Sequence, residues 1–194
     1  VRIPKNASTS VYEHIKPLNT IRDEVLPFRP EHHKIFAPSH CRLSEAVEVL
    51  GEEILDKVVF AVSRNPLDRM VSRYHFTQKL LSSDLKEVSN IKKEWLPEKF
   101  KDFAEFVDFC VEEDTMASYS QSYHLDVDTK IHIVRFENLQ YDFANLLGSN
   151  GILANPILPK LNSTKHDHYK SYYTPALEHK VRELWNEDFK RFNY

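Results

Sequence analysis

Glycine is scarce in this chain: three among 194 residues, at Gly51, Gly148 and Gly151. A magnesium-dependent triphosphatase cradles phosphate with a Gly-x-x-x-x-Gly-Lys-[Ser/Thr] loop. None of the three glycines stands in the Lys-Asn-Ala-Ser-Thr-Ser run at residues 5–10, so that frame is absent. Cysteine is rarer still. Cys41 and Cys110 lie far apart in sequence and have no metal-ligand spacing, so two buried free thiols in a reducing compartment are expected, with a disulfide between them unsupported. No apolar run approaches the length that spans a bilayer, and no signal-peptide pattern opens the chain. The expected location is cytoplasmic, with a trimmed upstream targeting segment as the open alternative. Net charge is only −3, which argues against nucleic acid as a partner and confines any anion site to a local basic cluster. The Asn-x-Ser/Thr triplets at Asn6 and Asn162 read as chance matches to a short pattern.

What is present is ordinary globular material. Apolar residues make up 41% and charged residues 28%, enough to build a core, and the length suits one domain over 1–194. Four short runs read as strands: 1–3, 34–37, 57–63 and 130–136. The run "KVVFAVS" is nearly all apolar and β-branched, as in a strand covered on both faces. Helical periodicity covers 10–15, with Ser8, Thr9 or Ser10 as cap. It also covers 44–50, capped by Ser44 and ended by Gly51, where Val47 occupies the place a capping box gives to Glu or Gln. Further helices are expected over 66–80, after Asn65 and with Pro66 in first position, over 100–111, and over 175–192 after Thr174. Strands alternating with helices predict a three-layer α/β fold around a central parallel sheet. Ligands in such folds bind at the carboxyl ends of the strands.

Two strand ends carry related chemistry. After residues 1–3 comes Pro4-Lys5-Asn6-Ala7-Ser8-Thr9-Ser10, leading into a helix. Successive amides at a helix N-terminus form an anion cradle, to which Lys5 adds a mobile charge and the hydroxyls add donors. A plain capped helix start would use the same residues. After residues 57–63 comes "RNPLDRMVSRY", where Arg64 offers a forked guanidinium and Ser72 a hydroxyl about two helical turns along. Arg69 and Arg73, four apart, read as a solvated or salt-bridged face, with Asp68 available as a partner.

Together the two stretches resemble the sulfotransferases, in particular the carbohydrate O-sulfotransferase branch. "PKNASTS" is similar to that family's 5′-phosphosulfate loop, with Ala7 in the manner of the uronyl 2-O-sulfotransferase version. "RNPLDRMVSRY" resembles its 3′-phosphate motif, and "VRFENLQYDF" and the terminal "YYTPALEHKVRELWNEDFKRFNY" extend the likeness over most of the chain. The resemblance implies a P-loop-nucleotide-hydrolase-like fold and the donor 3′-phosphoadenosine 5′-phosphosulfate (PAPS), without a metal. Lys5, Asn6 and the amides of Ala7, Ser8, Thr9 and Ser10 would hold the 5′-phosphosulfate, and Arg64 with Ser72 the 3′-phosphate. In "NSTKHDHYKSYY" Lys165 and the neighbouring tyrosines offer charge and a stacking face that would close over the nucleotide, while the same residues read more simply as a solvated loop before the terminal helix. The acceptor would be a hydroxyl, expected on a saccharide.

Such transfer needs a general base. His40, where "KIFAPSHCRLSEAV" runs out of a strand, is the leading candidate and also matches a strand-end histidine of the family. Glu13, His14, His32 and His33 remain alternatives. His75 is expected to pack beside Tyr74, and His132 in the core or on a sheet face. Gln121 and Tyr123 are candidates for lining the acceptor cleft, and Glu137 for pairing with a cation. Two rival readings are a small-molecule or nucleotide kinase and a non-catalytic nucleotide- or glycan-binding module.

Overall fold

The structure, a computed structural model, describes residues 1–15, 40–82, 99–113, 118–152, 155, 157–159 and 166–194. In chain order its helices are α1 (Ser8–Ile15), α2 (Leu43–Leu50), α3 (Pro66–Ser82), α4 (Phe103–Glu112), α5 (Leu139–Ser149), α6 (Pro175–Leu184) and α7 (Asn186–Phe192). The strands among these residues are β1 (Phe60–Ser63) and β2 (His132–Arg135), which pair in parallel with Phe60 opposite His132 and Ser63 opposite Arg135. A small parallel sheet among helices makes this an α/β protein. The contacts gather into two compact units. The first holds the described residues 1–15, 40–64, 123–152, 155 and 157–159, and the second 65–82, 99–113, 118–122 and 166–194.

In the first unit, Val62 of β1 and Val134 of β2 bury their side chains with Val11 of α1 and Phe143, Leu146 and Leu147 of α5. The expected strand at 1–3 is not part of the sheet. Val1 nitrogen donates to the Phe60 carbonyl at 2.7 Å, but Pro4 has no N–H to offer and the Asn6 side chain takes the Val62 carbonyl at 2.6 Å. The expected strand at 34–37 lies outside the described residues. Helix α1 starts two residues earlier than expected. Ala7 carbonyl accepts from Val11 N at 3.1 Å, so Ser8, Thr9 and Ser10 form the first turn instead of capping it. Helix α2 also starts early, after Arg42. That places Glu45, not Val47, third in the helix, and its carboxylate accepts from Arg42 N at 2.7 Å. Gly51 closes the helix at φ +87°, a left-handed value that suits glycine.

In the second unit the Asn65 side chain accepts from Leu67 N at 2.9 Å and Pro66 opens α3, as the sequence predicts. Asp102 caps α4 through Glu105 N at 3.0 Å, and Phe103, Phe106, Val107 and Cys110 form its buried stripe. They pack with Leu67, Met70 and Val71 of α3, with Val181 of α6 and with Trp185 and Phe189. The single helix expected over 175–192 is two. It breaks at Trp185 (φ −118°, ψ 33°), whose buried indole donates from Nε1 to the Ser118 carbonyl at 2.6 Å. Thr174 caps α6, as expected.

Candidate functional site

The loop ahead of α1 has an unusual backbone. Lys5 (φ +69°) and Ala7 (φ +55°) both stand in the left-handed region without being glycine. Each such residue costs about 1–2 kcal/mol, so the surrounding contacts must hold the turn. Asn6, fully buried between them, ties it to β1 through Val62. A backbone alternating into the left-handed region gathers successive N–H groups into an anion-binding nest. This one leads directly into the first turn of α1, where amides lack intrahelical partners and the helix dipole is positive. At the tip of β1, Arg64 Nη1 donates to the Lys5 carbonyl at 2.9 Å, and its guanidinium lies 4.2 Å from the centre of the Phe136 ring. The fold therefore brings Lys5, Asn6, Ala7, Ser8, Thr9, Ser10 and Arg64 together. Phe136, at the end of the neighbouring strand, is a residue that sequence reasoning missed. Its signal was the pairing of the two strand ends, which no local pattern discloses.

His40 belongs to the same unit. Its Nδ1 lies 2.9 Å from the Arg2 carbonyl. A carbonyl only accepts, so Nδ1 donates to it, which in the neutral form of the ring puts the lone pair on Nε2. Of the alternative bases, His14 has Nε2 on the Asn155 carbonyl and its ring edge on Phe143, while Glu13 is exposed on α1. His32, His33 and Lys165 lie outside the described residues.

The profile of the sulfotransferase family matches residues 1–194. The chain belongs to the sulfotransferase family. No curated protein and no solved structure matches it. Membership makes the chain a transferase that moves a sulfuryl group to a hydroxyl-bearing acceptor. Among the described residues no helix of this sulfotransferase is long and apolar enough to cross a membrane, and no His, Cys, Asp and Glu cluster has metal-binding geometry.

In the second unit, Ser72 is buried on α3. For Arg69 and Arg73 the expected solvated face is corrected, while the salt-bridged alternative holds for Arg69, whose partner is Asp188. Both arginines are buried, and both donate to the Tyr119 carbonyl, Arg69 Nη1 at 3.1 Å and Arg73 Nη2 at 3.4 Å. Their guanidiniums lie 4.8 and 5.7 Å from the Trp185 ring centre. Asp188, also buried, accepts from Gln121 N and Ser122 N, each at 2.7 Å, with Arg69 Nη1 at 3.9 Å. Burial lowers the Arg73 guanidinium to about 10, still charged at neutral pH, and pushes the Cys110 thiol up to about 12. Both cysteines are free; Cys110 is buried, whereas Cys41 is only half-buried, short of the expectation. Gln121 is fully buried. Tyr123, in the first unit, lies with its ring centre 5.6 Å from the Arg42 guanidinium. Glu137 is exposed, and His132 lies half-buried in β2. His75 does pack beside Tyr74, at 5.1 Å between ring centres. It also stacks on His166, and its Nε2 meets the Tyr172 hydroxyl at 2.8 Å.

Proposed function

We propose that this sulfotransferase transfers the sulfuryl group of PAPS to a hydroxyl of a carbohydrate. The observation that carries the reading is the meeting of Lys5 and Arg64 on the nest ahead of α1, joined at 2.9 Å through the Lys5 carbonyl. That arrangement fits a polyanionic ligand: amides for phosphosulfate oxygens, a mobile ammonium beside them and a forked guanidinium braced on an aromatic ring. The donor supplies an activated sulfur whose leaving group is a phosphate oxygen. The chain's own part is positioning and charge stabilisation, as in phosphoryl transfer. Lys5 neutralises the bridging oxygen as the sulfur–oxygen bond breaks. His40 Nε2 accepts the proton of the acceptor hydroxyl as its oxygen attacks sulfur. Assigning Ser72 to the 3′-phosphate and Lys165 to the nucleotide rests on the sequence motifs, as do the three-layer, P-loop-like architecture and the carbohydrate acceptor.

The test is an acceptor screen with donor labelled in the sulfuryl sulfur. Label should pass to saccharides without added magnesium, and Lys5→Ala and His40→Ala should each reduce transfer by about 100-fold or more. Transfer of phosphate from ATP with magnesium and none of sulfate would overturn the reading. So would tight nucleotide binding with no transfer to any saccharide.

A further inference from the structure

The stretch that follows His40 is gripped by a carboxylate from a distant part of the same unit. Asp126 accepts from Ser44 N at 3.0 Å and from Ser44 Oγ at 2.5 Å, and Arg42 Nη1 lies 3.4 Å from it. Ser44 N is a first-turn amide of α2 with no partner inside the helix. Asp126 thus caps a helix to which it does not belong and places its charge at that helix's positive end. The same segment holds Arg42 a second way, through the face of Tyr123 at 5.6 Å. Glu45 completes the grip at the Arg42 amide. On the other side the His40 ring is fixed through Nδ1 on the Arg2 carbonyl. The imidazole is therefore held at its ring by the segment leading to Lys5, and at its following backbone by Asp126.

We propose that Asp126 is a positioning residue for His40. By fixing the start of α2 it keeps the imidazole on the Arg2 carbonyl, in the tautomer whose Nε2 lone pair can take a proton. The inference rests on the reading of His40 as the base. The partners of Asp126, Ser44 and Arg42, belong to α2 and its cap, so the test separates turnover from donor binding. No local pattern discloses the contact, because Asp126 and Ser44 stand 82 residues apart in sequence.

The experiment combines NMR of the histidine ring nitrogens with steady-state kinetics on the full chain. An imidazole free in water favours the proton on Nε2, so the tautomer of His40 reports whether the ring sits on Arg2. In the wild type the proton should be on Nδ1. In Asp126→Ala the population should move to the Nε2–H form and kcat should fall by at least about tenfold, with KM for the donor and the affinity for its desulfated product unchanged. Asp126→Asn, whose amide oxygen still accepts from Ser44 N, should recover much of both. An unchanged tautomer in Asp126→Ala overturns the proposal, as does an equal loss of nucleotide affinity, which would signal general loosening. Should Asp126→Ala fail to fold, Ser44→Ala removes the shorter contact and is read the same way. Normal turnover in His40→Ala would remove the base assignment, while a tautomer shift in Asp126→Ala would still support the positioning role.

Discussion

Ala7 shows how one residue records a functional constraint. At φ +55° a methyl group is tolerated at a cost, and a β-branched side chain is a true outlier. Relief of about 1–2 kcal/mol in Ala7→Gly is offset by about 0.5–1 kcal/mol of extra chain entropy in the unfolded state. Ala7→Gly should therefore fold and bind nucleotide with stability equal to the wild type or up to about 1.5 kcal/mol above it. Ala7→Val should lose nucleotide affinity; denaturant melts and calorimetry on the pair check both. The sequence displayed the lysine and hydroxyls of this loop but not its handedness, because the contacts that hold it, from Val62 to Asn6 and from Arg64 to the Lys5 carbonyl, come from far away in sequence. The thiols follow similar reasoning. Cys110, buried with its thiol pushed up to about 12, should resist alkylation in the native state, whereas half-buried Cys41 should react first. Mass spectrometry after mild alkylation reads the order.

At the scale of elements, legibility tracked how local the cause was. Asn65 with Pro66, and Thr174 with Pro175, act within one turn, and both helix starts fall where the sequence puts them. Helix α2 begins one residue before its expected start, and Asp126, distant in sequence, holds its first turn at Ser44 N. Helix α5 was not anticipated, although Leu139, Phe143, Leu146 and Leu147 follow the helical period. The break at Trp185 depends on Ser118, distant in sequence. The buried grip of Arg69 on Tyr119 and Asp188 joins α3, the 118–122 segment and α7 within one unit. Breaking the Arg69–Asp188 pair should cost up to about 3–5 kcal/mol, with Arg73 remaining as a second cation near the carboxylate. Arg69→Ala is thus expected to lower stability by up to that amount in denaturant melts. If it folds at low temperature, nucleotide affinity should be unchanged, since Arg69 is committed to the core.

For the molecule as a whole, the apolar, β-branched run ending at Ser63 was enough to announce a parallel sheet and an α/β class. The extent of the ladder and the gathering of contacts into two compact units were not readable, since both depend on contacts between residues far apart in sequence. The family profile spans both units, 1–194, as one sulfotransferase. The most direct test of the account is calorimetric titration of the desulfated donor nucleotide into the wild type, Lys5→Ala and Arg64→Ala, with melts confirming that each is folded. Loss of a charged hydrogen-bonding group should weaken binding by about 10- to 100-fold in Arg64→Ala. Folded Arg64→Ala and Lys5→Ala proteins that bind the nucleotide as tightly as the wild type would contradict the account.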